Sequence, residues 1–288
     1  MSTPGIPRAF GVSDRLGREA TGCSPTSAAS NLPVVSFRRQ KLSVGRRLII
    51  DAMKLGASQH VIHGLVEVDV SRARKRIADS ELDLSFSAFV AASFGRAIAA
   101  HPIVQARRSW RGDLVIFDDV DVCVMVESER SDHSTPMPLV LRRANSRSVA
   151  ELTADIRDAQ ARPSPVGSGQ FSFAGYVPGP LRRAVMRVAL RNPFYVKKIA
   201  GTAAVTSVGM FGDSPGYGIA FPTVYSVGLV VGSITERVVL DADGRPVGRE
   251  HLQLTLSFDH DIIDGGPAAR FTADLVEVLR SAAVLDAS

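Results

Sequence analysis

Leu254-Thr-Leu-Ser-Phe-Asp-His-Asp-Ile-Ile-Asp-Gly-Gly-Pro-Ala-Ala-Arg-Phe271 is the stretch from which the fold is read. Its first half alternates apolar and polar side chains, the pattern of a strand with one face buried. The chain then meets a polar knot and resumes as a helix. The knot presents His260, Asp264 and Gly265 in the spacing H-x-x-x-D-G. A histidine at a strand end, followed by a carboxylate and a glycine, holds one imidazole still in a cleft. Imidazole has the side-chain pKa nearest neutrality, so it suits proton removal from a thiol or alcohol. Gly265 and Gly266 would let the chain turn and leave room at the mouth of that cleft. A lone His–Asp pair more often satisfies backbone groups in a loop, so its surroundings must decide.

Outward from this stretch, the pattern predicts mixed helices and strands. Leu42 to Ala57 reads as a helix and Val61 to Val70 as a strand. Ser71 is placed to cap a helix from Arg72 to Ala78. Ser85 or Ser87 would cap a helix through Phe89, Phe94 and Ile98 that Pro102 stops; its near-continuous apolar surface implies burial. Leu114–Phe117 and Asp119–Glu127 read as paired strands, and Pro138–Leu141 as a short one. Ser148-Val-Ala-Glu151 fits a capping box for a helix to about Ala161. Strands follow at Ala203–Val208, Val224–Ile234 and His251–Phe258, the last two separated by the turn signal Asp243-Gly244. Gly266–Leu279 closes the chain as a helix. With few strict βαβ repeats, this is an α+β pattern. No internal repeat and no second domain is visible.

Composition narrows the function classes. With 45% hydrophobic and 22% charged residues in 288, the chain reads as an ordinary globular protein able to bury a full core. Two cysteines, Cys23 and Cys123, make neither a disulfide framework nor a zinc cluster. Cys123 sits in an alternating strand as a small hydrophobe, and a reducing cytoplasm fits. No apolar run reaches membrane-span length, and residues 1–35, rich in Pro, Ser, Gly and Thr, read as a disordered tail without a signal peptide. His60, His63, His101, His133 and His251 lack metal-like spacing, so no metal is expected. Walker and dinucleotide fingerprints are absent, and the glycines of Val208-Gly-Met-Phe-Gly212 read as a bend.

The string LTLSFDHDIIDGGPAARF resembles the C-terminal signature of the dihydrolipoyl acyltransferases, the core subunits of 2-oxoacid dehydrogenase complexes. Gly201-Thr-Ala-Ala-Val-Thr-Ser-Val-Gly209 is similar to that family's Gly-Thr-Phe-Thr-Ile-Ser-Asn-Leu-Gly segment. Gly45-Arg46-Arg47, followed by Glu67-Val-Asp-Val70, resembles its Arg-led helix and the strand after it. The resemblance spans about residues 40–280 and implies a chloramphenicol acetyltransferase-like two-layer sandwich with a mixed sheet. There are departures. Asp261 stands where the family usually has Arg, and Thr206 where it has Ser. About 30 residues are inserted between roughly Gly167 and Gly201. Neither a lipoyl domain nor a subunit-binding domain is read before the catalytic-type region, 36–288.

The resemblance implies coenzyme A as substrate, no covalent lipoyl site in this chain, and direct transfer without an acyl-enzyme. His260 would take the proton of a thiol, and Thr206 would donate to the oxyanion. Ser207 faces the other way along the strand. Threonine chosen merely for strand propensity is the plain alternative for position 206. Asp264 would hold the loop by an ion pair, with Arg46 its expected partner and Arg47 a second choice. In the family the site lies between subunits of a trimer, so His260 and Thr206 are expected to act from different chains. A lipoyl domain in trans, or another acceptor, would then be needed. A non-catalytic oligomeric scaffold of the same fold is the alternative reading.

The insertion holds most of the basic excess: from Asp158 to Asp213 there are seven Arg or Lys residues and no acidic residue between. On a helical wheel Leu181, Ala184, Val185, Val188 and Ala189 share one side, and Arg182, Arg183, Arg187 and Arg191 the other. Such a helix either packs its apolar side on the core, leaving the arginines solvated, or binds coenzyme A phosphates, a partner or an anionic membrane. The solvated arginine face is the simpler expectation, with peripheral membrane contact the less favoured one. Few aromatics and no recognition motif argue against nucleic acid.

Overall fold

The computed structural model describes residues 38–126, 137–162, 177–207, 215–220 and 224–287. The segment 208–214, His133, Cys23 and the 1–35 tail lie outside the described residues. Every helix and strand described falls in one compact unit, Leu42–Ser288, and residues 38–41 are exposed coil.

The alternation of the quoted stretch is realised in β8 (Pro246–Asp259), which pairs antiparallel with β1 (Val61–Asp69) on one side and with β7 (Val227–Leu240) on the other. Beyond β7 come β6 (Ala203–Ser207), β4 (Val122–Val126) and β5 (Met137–Leu141), giving the order β1-β8-β7-β6-β4-β5. The β4–β6 and β6–β7 pairs are parallel and the other pairs antiparallel, so the sheet is mixed. Leu252, Leu254, Leu256 and Phe258 point to one face, where they join Val122, Val124, Val227 and Leu229. That face is covered by α2 (Ser71–Ala78), α3 (Phe86–Ala100), α4 (Val149–Ala161) and α7 (Gly265–Ser281). Phe271 of α7 meets Phe94 and Phe258 edge-on, tying two helices to the sheet. The α+β, two-layer expectation holds.

Residue chemistry explains most boundaries. In α3 ten residues are buried, Phe89 and Phe94 among them, as its continuous apolar surface requires. Gly95 lets α3 approach the loop before α4; a Cβ there would stand 2.8 Å from the Ala144 carbonyl carbon. The Ser148–Glu151 capping box forms in both directions. Asp243-Gly244 does join β7 to β8, with Gly244 at φ 78°.

Three local expectations fail. Ser71 is not the cap of α2: its hydroxyl accepts the Glu250 amide, while Asp69 Oδ1 accepts the Ser71 amide. Neither Ser85 nor Ser87 caps α3 through its side chain; Ser85 is the N-cap by backbone alone, its amide donating to Thr153 Oγ1. The strands around 114–127 do not pair with each other. β3 (Leu114–Val115) pairs with β2 (Arg107–Arg108) in a hairpin, and β4 enters the main sheet. β4 carries the long buried run and so takes the interior position.

The insertion folds as α5 (Gly179–Leu190) and α6 (Pro193–Ala200), with α5 against α1 (Val44–Gly56). Its orientation is the reverse of the solvated-arginine expectation. No α5 residue is buried, and Leu181, Val185 and Val188 are 57–71% exposed. Arg182 and Arg183 turn inward to Asp51 of α1, which is 2% exposed. Burial pushes the Asp51 carboxyl up, but the hydrogen bonds and charges of the two arginines outweigh it and hold the group below its ordinary value. A buried carboxylate without a counter-charge is costly, so the two guanidiniums decide which side of α5 faces α1.

Candidate active site

β8 delivers its last residue, Asp259, into the interior at 6% exposure, and this carboxylate builds the turn that presents His260. Asp259 Oδ1 accepts the Asp261 amide at 3.1 Å, and Oδ2 accepts from Gln59 Nε2 at 3.1 Å. Its backbone carbonyl accepts from Ile262 and Ile263, both at 3.0 Å. Burial pushes the Asp259 carboxyl up, and the like charge of Asp261 adds to it; the Asp261 amide and Gln59 oppose. The His260 amide donates to the His60 carbonyl at 2.7 Å, which anchors the backbone of the turn to the residue before β1. The imidazole itself is half-exposed, with Nδ1 4.0 Å from Asp264 Oδ1. That separation is too long for a hydrogen bond.

Asp264 does not do what the sequence suggests. It is the N-cap of α7 but makes no side-chain cap bond, and its side chain is 86% exposed. The expected Asp264–Arg46 ion pair is not formed among the described residues. Arg46 lies in the first turn of α1, where its amide donates to Ser43 Oγ. On α1 the carboxylate that draws arginines is Asp51, and the turn is held by Asp259. Gly265 is not required for a left-handed backbone, and a Cβ there would meet nothing within 4 Å.

The Asp259–Ile262 stretch also borders a cavity of ≈ 640 Å³. Lys54 of α1 and Gln59 after it, Arg107, Arg108 and Trp110 of the β2–β3 hairpin, and Arg187 of α5 with its C-cap Arg191 line it, with Asp259 and Asp261. Sequence reading missed the hairpin's contribution, because Arg107 and Arg108 look like ordinary charges until the chain folds. It also missed that His60 Nδ1 lies 2.8 Å from Asp261 Oδ1, which ties up one of the two acidic groups.

Thr206 sits on β6, partly buried, on the face away from α3; Ser207 faces the opposite way, toward Phe86 and Val90. Through the register Thr206↔Val230↔Thr255, it lies two strands across from a residue five positions before His260. At strand spacings of about 4.8 Å and rises of about 3.3 Å, Thr206 and His260 stand roughly 19 Å apart. Within one chain they do not converge. His260 and Asp264 are together, Thr206 is apart, and Arg46 is on α1 without contact to Asp264.

Residues 198–285, which hold both Thr206 and His260, match the family described as 2-oxoacid dehydrogenases acyltransferase (catalytic domain). The lipoamide acyltransferase component of the branched-chain alpha-keto acid dehydrogenase complex of Bacillus subtilis is 26% identical over 270 residues, 89% of this chain. The chain spans about half the length of that relative, 54%. Among solved structures, a probable dihydrolipoamide acetyltransferase from Listeria monocytogenes superposes with TM-score 0.63 at 19% identity, covering 85% of this chain and 95% of that one. Dihydrolipoamide acetyltransferase of Azotobacter vinelandii, whose catalytic mechanism was probed at a serine, a histidine and an asparagine, gives 0.66 at 15%, covering 91% and 100%. The fold is thus that of dihydrolipoamide acetyltransferase catalytic cores, and the family resemblance read from the motifs stands.

Proposed function

We propose that this protein is an acyltransferase that moves an acyl group between coenzyme A and a thiol acceptor, with His260 as general base. The observation that carries the reading is His260 itself. Its backbone is fixed by the His60 carbonyl and by the Asp259-built turn, while its imidazole is left half-exposed at the end of β8. A purely structural histidine at such a strand end would be expected to be tied down by its ring. The chain order hydroxyl, histidine, polar residue at Thr206, His260 and Asp264 parallels the serine, histidine and asparagine probed in the Azotobacter protein.

In the reaction His260 takes the proton of the attacking thiol as its sulfur forms a bond to the thioester carbonyl carbon. The tetrahedral intermediate then collapses by breaking the bond to the leaving sulfur, which recovers the proton from the imidazolium. With Asp264 on the Nδ1 side, Nε2 is the nitrogen free for this exchange. Thr206 of a second copy donates its hydroxyl to the oxyanion, a reading that the separation within one chain supports. We therefore assign the site to a homo-oligomer, a trimer by the resemblance. A cytoplasmic location fits the free, buried Cys123 thiol.

The test is thioester turnover by the full chain, with a panel of acyl-coenzyme A donors and dihydrolipoamide as acceptor. His260→Ala should lower the rate by about 10²–10⁴-fold. Unchanged turnover in that variant would end the assignment. Co-expressing His260→Ala with Thr206→Val chains should restore part of the activity, because a mixed oligomer contains interfaces with both native groups. Two inactive parents giving an inactive mixture would mean that Thr206 and His260 do not act from different chains.

A further inference from the structure

We infer that the cavity beside the His260 turn binds a small ligand bearing oxyanion groups, phosphoryl or carboxylate, and that the inserted helix α5 supplies half of its exposed counter-charge. Five cationic side chains line the cavity against two acidic ones, and the two acids are already engaged. Asp259 is bound into the turn and Asp261 to His60. Lys54, Arg187 and Arg191 make no ion pair and no side-chain hydrogen bond among the described residues, and Arg108 acts on Asp259 through charge without a salt bridge. Gathering like charges around one hollow costs energy unless a counter-ion enters it.

Arg107 strengthens the case. Its guanidinium is largely withdrawn from solvent and hydrogen-bonds only to the backbone carbonyls of Val224 and Leu190; the nearby Asp259 carboxylate acts on it through charge without a salt bridge. Its Nε is buried and has no acceptor at all. A buried guanidinium with no carboxylate in hydrogen-bond contact is short of one hydrogen bond and of a close counter-charge, and an oxyanion provides both. The remainder of the wall is suited to the rest of such a molecule. Leu55, Leu190, Val224 and Ile262 are apolar, and Trp110 stands 71% exposed with the Arg111 guanidinium over its ring. The volume is that of ordinary small-molecule sites, about 300–1,000 Å³.

The inserted helix is part of the site because of its orientation. Asp51 draws Arg182 and Arg183 against α1, and this rotation carries Arg187 and Arg191, further along the same side, to the cavity. Any role of the ligand as a reactant rests on the acyl-transfer reading; its binding does not.

The experiment is calorimetric titration of the full chain with three probes: pyrophosphate, 3′-phosphoadenosine 5′-phosphate (the nucleotide end of coenzyme A) and glutarate. We expect one site per chain for at least one probe, weakening as salt is raised. The double variant Arg187→Gln/Arg191→Gln changes only exposed side chains, and should weaken binding at least about tenfold, the order expected for losing one charge-assisted contact. His260→Ala should bind as the unaltered chain does, even if turnover shows the catalytic reading to be wrong. Preference for the nucleotide would assign the cations to coenzyme A phosphates, and preference for glutarate to a carboxylate-bearing partner substrate. No binding of any probe, or full binding by the double arginine variant, would overturn the inference.

Discussion

Asp51 faces two guanidiniums and Asp264 an imidazole, and the two carboxylates occupy opposite electrostatic regimes. Asp51 is shut between α1 and α5, with Arg182 and Arg183 on its two oxygens and its pKa held down. Asp264 is 86% exposed and reaches His260 only at 4.0 Å. The strongly held pair joins the Arg-led helix α1 to the inserted helix α5, while the loose one lies in the motif that the family resemblance highlights. An ion pair that fixes architecture must be desolvated and tight. A base that must give and take a proton needs a partner that does not commit it to one state.

Breaking the tight pair should have the largest effect. Asp51→Ala leaves Arg182, which is 10% exposed, without its counter-charge. Removing one partner of a buried pair costs about 3 kcal/mol, measurable as a lowered denaturation midpoint and as new protease cleavage near α5. The sign with pH follows from the lowered Asp51 pKa. The contribution is complete above the unfolded carboxylate value of about 3.9 and is lost as pH falls through the lower folded value. The unaltered chain should therefore release α5 only in acid, and Asp51→Ala should show no such acid step. A variant as stable as the parent would mean that α5 is held by something other than this pair.

A smaller loss separates the two arginines. Arg183 is 34% exposed and stands 3.3 Å from Asp51, so much of its attraction is screened by solvent. Arg183→Gln should cost less than about 1 kcal/mol in the same denaturation assay, in the range of exposed pairs. An effect equal to that of Asp51→Ala would make Arg183, not Arg182, the residue that docks the helix.

What the sequence made legible divides along the same line. Local chemistry could be read directly: the Ser148–Glu151 box, the Asp243-Gly244 turn, and the alternation that sets Leu252 to Phe258 on the helix side. The H-x-x-x-D-G knot was readable too, as far as placing His260 at a strand end. Long-range choices were not. A helical wheel for α5 separates arginines from valines but cannot say which side faces inward. That was decided by Asp51, more than 120 residues earlier in the chain. Asp259, which builds the His260 turn, looked like one more polar residue beside the motif. Arg107 gained meaning only when β2 folded back on β3 and set it beside Val224.

The smallest effect is expected at the carboxylate that the motif singles out. Asp264→Asn keeps an oxygen and the shape at the N-cap of α7, where the native side chain makes no cap bond in any case. It removes a charge that solvent largely screens, so stability should change by less than about 0.5 kcal/mol. Turnover of Asp264→Asn should stay within about tenfold of the parent, below the range of a lost general base. A loss as deep as that of His260→Ala would show that the 4.0 Å contact closes to a hydrogen bond in the loaded enzyme. Asp264 would then set the imidazole's tautomer, and the loose pair would have to be reclassified with the tight one.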